Sequence, residues 1–317
     1  MPRIFVFIPA YNAASFIAET IESVRAQTHS EWEMTIIDDA SSDDTLDACR
    51  RAIGTDPRIT LIANDKNLGM VGNWNKGISL CNSEYFVKLD ADDIWRPTFL
   101  EESVKIMDTL PNVGLVFSKF VNIDDKSRQV PDSEIELPPF ARDCAFSCVP
   151  LVKLGSSKML QFPILRQGLS LTRSSIFSKV GPYRYLLSRQ TQAASDTEFY
   201  FRVGCNFDIF CIDKTLYEYR VHGRSISAED KQANLQEQKL FEVKTVINDY
   251  YRTERKIGFL EWWRNRRATN FQYRLFLNYR ARAERRIGRF FQSCAVLIFL
   301  HPVNTFGHLL SKISSNY

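Results

Sequence analysis

Four short apolar runs set the frame for this chain: RIFVFI (3–8), EMTIID (33–38), RITLIA (58–63) and EYFVKL (84–89), spaced about 25 to 30 residues apart. Each is rich in β-branched and aromatic residues and ends at a turn or polar cluster, the pattern of a strand. The intervals between them carry helical signals. Phe16, Ile17, Ile21 and Val24 recur at helical spacing behind Ser15, which reads as an N-cap. Thr45 to Ala52 and NWNKGISLC (73–81) also read as helices, whereas NDKNLGMVGN (64–73) reads as a loop in which Gly69 and Gly72 are turn residues. Strands alternating with helices of about ten residues predict an α/β fold, a mostly parallel sheet with helices on both faces. In such sheets ligands collect at the carboxyl ends of the strands. Tyr11 with Asn12, Asp38 with Asp39, and Asp90 to Asp93 each follow a strand directly, so they are expected to share one rim.

At 317 residues, 44% of them apolar, the chain can form a large domain with an appendage, and its 25% charged content is that of a globular protein. The seven cysteines (49, 81, 144, 148, 205, 211 and 294) contain no C-x-x-C pair, and Cys144 and Cys148 have no second pair or nearby His to complete a zinc site. Reduced thiols in a cytoplasmic protein are the simplest reading, and the N-terminus shows no cleavable leader. Residues 125–168 are rich in Pro and Ser and read as a long surface segment of the kind that carries substrate contacts. Ordered patterns return at LSLTRSSIFSKVGPY (169–183) and again over 195–223, and the last 80 or so residues look mainly helical.

The stretch YFVKLDADDIW (85–95) poses a chemical question, because it ends a strand on three like charges, Asp90, Asp92 and Asp93. Like charges at close range repel. A solvated turn, with one Asp capping the next helix, is the structural answer. A divalent cation that removes the repulsion is the functional one.

The order and spacing of five segments decide between these answers. IFVFIPAYN, TIIDDASSDDT, NLGMVGNWNKGI, YFVKLDADDIWRP and the later pair SDTEFYFRV and LYEYRVHGRSIS resemble, over roughly residues 3–228, inverting family 2 glycosyltransferases of the GT-A fold. The resemblance implies a nucleotide-sugar donor, most commonly a UDP-sugar, and a divalent cation, Mn²⁺ or Mg²⁺. Nucleotide-binding positions carried over from it are Pro9, Tyr11 and Asn12 in the first motif, Asp39 in the second, Asn67 and Asn75 in the third, and Asp90 and Arg220. Tyr11 would stack on the base and Asp39 accept its N–H. Asp92 and Asp93 would hold the metal, with Asp90 on the ribose or the metal. Hard carboxylate oxygens suit Mg²⁺ and Mn²⁺, which also take phosphate oxygens, and such an ion stabilises a leaving nucleoside diphosphate. His222 would complete the metal shell.

A base is also needed to deprotonate the acceptor hydroxyl, and a carboxylate within hydrogen-bond reach is the natural choice. Relatives usually carry Glu-Asp at the matching helix start; here Ser195-Asp196 stands there, and Asp196 is the expected base. Its structural alternative is an N-cap for TEFYFRV, with Glu198 and Arg202 as an i,i+4 pair. Trp74 departs from the family pattern, since many relatives carry Arg at that position.

These readings divide the chain into a donor-binding half (1–125), an acceptor-binding half with the base (126–228) and a basic amphipathic helical extension (229–317). From residue 252 onward 13 Lys or Arg face 3 acidic residues, a net of +10, while residues 1–251 carry 28 basic and 34 acidic residues, a net of −6. Basic segments interleaved with Trp and Phe suit an anionic membrane surface, here through residues 252–310. Arg interleaved with aromatics also suits nucleic acid, but the sugar-nucleotide rim gives no support to that partner. The expected setting is the cytoplasmic face of the membrane, with a saccharide or lipid-linked acceptor in surface polysaccharide synthesis. Two alternatives stand beside it: a degenerate relative that binds without turnover, and a sugar-phosphate nucleotidyltransferase. The latter class opens with a Gly-rich loop followed by basic residues, where this chain has PAYN.

Overall fold

The structure, a computed structural model, describes residues 2–137, 142–146, 170–185, 195–204 and 206–223, with Thr245 and Trp263. Apart from Thr245 and Trp263, the basic extension, including the proposed membrane-facing residues 252–310, lies outside the described residues.

The four apolar runs become β1 (Ile4–Ala10), β2 (Trp32–Asp38), β3 (Ile59–Ala63) and β4 (Tyr85–Lys88). Between them lie α1 (Ile17–Arg25), α2 (Thr45–Ile53) and α3 (Gly69–Leu80). A short β5 (Ile94–Trp95), α4 (Phe99–Thr109) and the long β6 (Val113–Ile123) follow. The later elements are β7 (Cys144–Phe146), β8 (Leu171–Arg173), α5 (Ile176–Val180), α6 (Ser195–Gly204) and β9 (Asp208–Arg220).

All nine strands join one sheet in the order β3-β2-β1-β4-β8-β6-β9-β5, with β7 also on β9. β3, β2, β1 and β4 are mutually parallel. β8 runs antiparallel to both β4 and β6, so β6 and its parallel neighbour β9 point the same way as the first four. Strands from both sides of residue 125 therefore share one hydrogen-bonded sheet.

Alternate residues of the central strands feed two cores. Phe5, Phe7, Phe86 and Phe117 face Val71 and Trp74 of α3 and Phe199 and Tyr200 of α6. Ile4, Val6, Ile8, Tyr85 and Val87 face Ile17, Ile21 and Val24 of α1 and Phe99, Leu100 and Val104 of α4. Burial on both faces explains why these strands read as continuous apolar runs rather than alternating ones.

Two local expectations change. α3 starts at Gly69, not at residue 73, so part of the expected loop is helix and Gly72 lies inside it. Gly69 carries φ +76, a conformation that favours glycine at the helix entry. Gly77, further along, lets α3 lie directly on β1, since a Cβ there would sit 2.7 Å from the Phe7 ring. Ser15 also fails to cap α1: the N-cap position is Phe16, with no side-chain cap bond.

Candidate functional site

Parallel register brings the ends of β1, β2 and β3 level, with Ala10 opposite Asp38 and Asp38 opposite Ala63. The loops that leave these ends are tied to one another. Asn12 sits at φ +52 and its side-chain Oδ1 accepts the Ser42 N–H at 2.9 Å, while its own N–H donates to Ser41 Oγ at 2.9 Å. Asp38 accepts the Ser41 N–H at 3.1 Å. Ala40 is held at φ +57, a strained conformation for a residue with no side-chain group to compensate. Tyr11, beside this junction, is 55% exposed and presents its ring to solvent. Pro9 is a half-buried member of β1.

Asp39 is almost fully buried, and it does not cap α2. Its Oδ1 accepts Asn64 Nδ2 at 2.7 Å and the Leu68 N–H at 2.9 Å. Asn64 in turn accepts Lys76 Nζ at 2.6 Å. The carboxylate is thereby fixed in orientation by β3's exit loop and by α3. Asn67 accepts the Gly69 N–H at 2.8 Å and so shapes the start of α3. Asn75 uses both ends of its amide on Tyr183, donating to its carbonyl at 2.9 Å and accepting its N–H at 2.9 Å. It pins α3 to the segment after α5.

The acidic stretch has a structure its sequence does not suggest: each of its three carboxylates has its own partner. Asp90 accepts Lys88 Nζ at 2.5 Å. Asp92 Oδ2 lies 3.0 Å from His222 Nε2, and both side chains keep partial exposure. Asp93 is 1% exposed; its Oδ1 accepts the Arg220 N–H at 2.8 Å and its Oδ2 the Tyr217 hydroxyl. Burial, then the neighbouring Asp92 and Asp90, push the Asp93 carboxyl well above the usual range. Each carboxylate of the stretch therefore has a partner within the fold, while Asp93 still feels the charges of Asp92 and Asp90.

Two of the expected site residues are held by the fold. Both oxygens of Asp93 accept hydrogen bonds from β9. The Arg220 guanidinium is wholly enclosed. Nε donates to the Asp92 carbonyl at 2.7 Å, one terminal nitrogen to the Asp124 carbonyl at 3.1 Å and Ser127 Oγ at 2.9 Å, and the other to Glu19 at 2.6 Å. The plane lies 4.8 Å from the Phe16 ring centroid, and the His222 ring packs against the same phenylalanine at 4.8 Å. Arg220 thus ties α1, the acidic loop, the 124–127 turn and the end of β9 together. β5 brings the acidic loop there by pairing antiparallel with β9, Ile94 opposite Glu218 and Trp95 opposite Tyr217.

Among the described residues no three His, Cys, Asp or Glu side chains are grouped to hold an ion alone. Asp92 and His222 supply one carboxylate and one imidazole on an accessible edge. The carboxylate fits Mn²⁺ or Mg²⁺ when phosphate oxygens and water complete the shell, and the imidazole is a softer donor that stands outside the usual ligands of Mg²⁺.

Asp196 lies in the first turn of α6, nearly buried, and inside the helix rather than capping it. Burial pushes the Tyr183 phenol up, and the carboxylates of Asp196 and Asp90 add to the effect. The expected Glu198–Arg202 pair forms, with two contacts of 3.0 Å, and is fully enclosed. Arg202 also donates to the carbonyls of Val180, Gly181 and Pro182, satisfying the C-terminal end of α5.

Sequence reasoning missed Lys88, Asn64, Lys76, Glu19 and Tyr217. Lys88 carried a readable signal: a lysine inside an apolar strand, two residues before Asp90 and hence on its face. The others are brought in by long-range contacts and left no local mark.

Solved structures share this fold. Staphylococcus aureus TarS in complex with UDP-GlcNAc superposes with a TM-score of 0.64 over 96% of this chain and 82% of its own, at 16% identity. The Pyrobaculum calidifontis mannosyltransferase PcManGT, in complex with GDP-Man and Mn²⁺, gives 0.55 over 99% and 80%, at 17% identity. Among sequence relatives, a Haemophilus influenzae uncharacterized glycosyltransferase is 26% identical over 72% of this chain and 68% of its own length. The Escherichia coli UDP-Glc:alpha-D-GlcNAc-diphosphoundecaprenol beta-1,3-glucosyltransferase WfgD is 29% identical over 46% of this chain and 58% of its own. The Bacillus subtilis putative teichuronic acid biosynthesis glycosyltransferase TuaG is 36% identical over 33% and 42%. The matches to WfgD and TuaG thus span less than two thirds of those proteins. Among the described residues no helix is long and apolar enough to cross a membrane. Residues 5–181, more than half of the sequence, match glycosyl transferase family 2, and the chain belongs to that family.

Proposed function

We propose that this protein transfers a sugar from a nucleoside-diphosphate sugar, a UDP-sugar in the simplest case, to a hydroxyl of a saccharide or lipid-linked acceptor, with inversion, in the assembly of a surface polysaccharide. The observation that carries this reading is that Asp39 follows β2, and Asp90 and Asp92 follow β4, at the carboxyl ends of strands parallel to β1, with His222 against Asp92 there. Residues 1–125 form the donor half and residues 126–228 the acceptor half.

We assign the roles from the family resemblance, and the local geometry supports several of them. Tyr11, exposed beside the β1 exit, stacks on the base, and Asp39, fixed by Asn64 and Leu68, accepts the base N–H. Asp90 meets the ribose. Asp92 and His222 hold the divalent cation, whose chemistry is to offset the charge of the leaving diphosphate. Asp196 takes the acceptor proton. Asn67, Asn75 and Arg220 shape the walls of the site. Residues 252–310 are assigned to an anionic membrane surface, where a lipid-linked acceptor would be met and where the protein would sit peripherally.

The test is thermal stability of the purified protein with UDP, GDP or dTDP, in Mn²⁺ and in chelator, beside the Asp92→Ala variant. Stabilisation by one nucleotide that needs the metal and is lost in the variant supports the reading and selects the base. A folded protein that responds to none of them overturns it in favour of a binding relative without turnover.

A further inference from the structure

Lysine is almost never fully buried unless paired, yet Lys88 is 2% exposed and sits at the end of β4 under the acidic loop. Its ammonium has two neighbours of opposite character. On one side is Asp90 Oδ1 at 2.5 Å; on the other is the Trp74 ring, whose centroid lies 4.4 Å away. A desolvated ammonium over an indole face is attracted by the electron-rich ring, which partly offsets its burial. Trp74 is itself held by an edge contact with Tyr183 at 5.0 Å, and Tyr183 by Asn75. Asp90, by contrast, remains about one third exposed, so it reaches solvent while its charge is anchored from below.

We propose that Lys88 is a positioning residue for the donor nucleotide: its buried ammonium, backed by the Trp74 ring, fixes the Asp90 carboxylate in the orientation that meets the nucleotide. The inference rests on the nucleotide-sugar reading above. The asymmetry of the pair supports it. A salt bridge that served stability alone would gain little here, because burying a lysine costs much of what the contact returns. Holding one exposed carboxylate still beside Asp92, on a rim where like charges repel, is a use that needs the cation on the dry side. Trp74 adds the second part: its indole backs the ammonium at 4.4 Å and so limits where the lysine head can sit.

An interaction that holds donor equally in the ground and transition states changes KM and leaves kcat. Lys88→Met should therefore weaken nucleotide binding about 10- to 100-fold, the worth of one charge-assisted hydrogen bond, with kcat at saturating donor within about threefold. Trp74→Leu should weaken it less, about 3- to 10-fold. The separating measurement is a double-mutant cycle in the full chain, read by calorimetric titration with UDP, GDP or dTDP, whichever stabilises the wild type, and Mn²⁺. In an Asp90→Asn background Lys88→Met should cost nothing further. Undiminished binding in folded Lys88→Met, or additive losses in the cycle, overturns the inference while leaving the transferase reading intact. Should Lys88→Met not fold, Trp74→Leu decides, and unchanged affinity in that variant overturns the inference in the same way. If the wild type binds none of the three nucleotides, the transferase reading fails first and this inference falls with it.

Discussion

The two sides of the rim are built in opposite ways. On the side formed by β1, β2 and β4, each functional side chain lies within a few residues of a strand end, so the element that makes the strand also delivers the residue. On the side formed by β9, Tyr217, Arg220 and His222 arrive more than 120 positions later in the chain to partner the acidic loop. On the first side Asp39 and Asp90 are held by partners of that same side, Asn64, Leu68 and Lys88. The second side holds Asp93 and the acidic loop through Tyr217 and Arg220, and sets His222 against Asp92. Support for Asp39 and Asp90 is near, in the fold's first half, and support for the acidic loop is distant.

The sharpest way to break that division is to compare neighbours. Asp92 and Asp93 are adjacent in sequence, yet one faces the accessible edge with His222 and the other is sealed under β9. Asp92→Ala should cut kcat/KM by a factor on the order of 10² to 10³, the loss expected when several kcal/mol of charge stabilisation disappear, with little change in Tm. Asp93→Ala should do the reverse in kind. It strands the Arg220 N–H and the Tyr217 hydroxyl in the core, at about 3 kcal/mol, and should lower Tm clearly while the remaining folded fraction still binds nucleotide. A large Tm loss in Asp92→Ala would show that both carboxylates belong to the supporting side.

Arg220 sharpens the same comparison from the far end. Arg220→Met leaves the carbonyls of Asp92 and Asp124 without their donor and should destabilise by about 3 kcal/mol. Its effect on nucleotide affinity should follow from a loosened acidic loop, and therefore depend on Mn²⁺. A nucleotide-binding loss that is equal with Mn²⁺ and with chelator, at unchanged Tm, would return Arg220 to the direct diphosphate contact expected from sequence.

The same division explains what could be read from the sequence. The strands over 3–8, 33–38, 58–63 and 84–89 were legible because burial on both faces writes an unbroken apolar run, and the shared rim followed from their parallel order. Asp39 and Asp90 were legible as positions because turns follow strands. Their partners were not. The enclosure of Arg220 and Asp93 was not legible either, since a charged side chain next to a motif reads the same whether or not the fold surrounds it. It goes with the pairing of β5 with β9, a contact between residues 94–95 and 217–218, and two residues of strand leave no periodic trace. The early start of α3 was hidden because Gly69 and Gly72 signal a turn locally, while the helix begins at the first and runs through the second.

A control lies at the opposite end of the sheet, where a carboxylate has a local partner and no rim to serve. Asp56, in the turn before β3, accepts bonds from Arg58 at 2.8 and 3.0 Å and from Arg25 of α1 at 3.3 Å. The Arg58 guanidinium holds its carboxyl below the usual carboxylate range. A group whose pKa is depressed in the folded state adds stability above its unfolded value, near 3.9, and loses it as pH falls through the folded value. Asp56→Asn should therefore lower stability at pH 7 by about 1 kcal/mol or less, since Arg58 is partly exposed and screened. The gap should close as the pH drops below about 4, and nucleotide affinity should not change at any pH. Chemical denaturation at pH 7 and pH 3 checks the first part. A difference that persists undiminished at low pH would mean that the turn is held by the hydrogen bonds of the Asp56 carboxyl group rather than by its charge. A change in nucleotide affinity would mean that the two ends of the sheet are coupled.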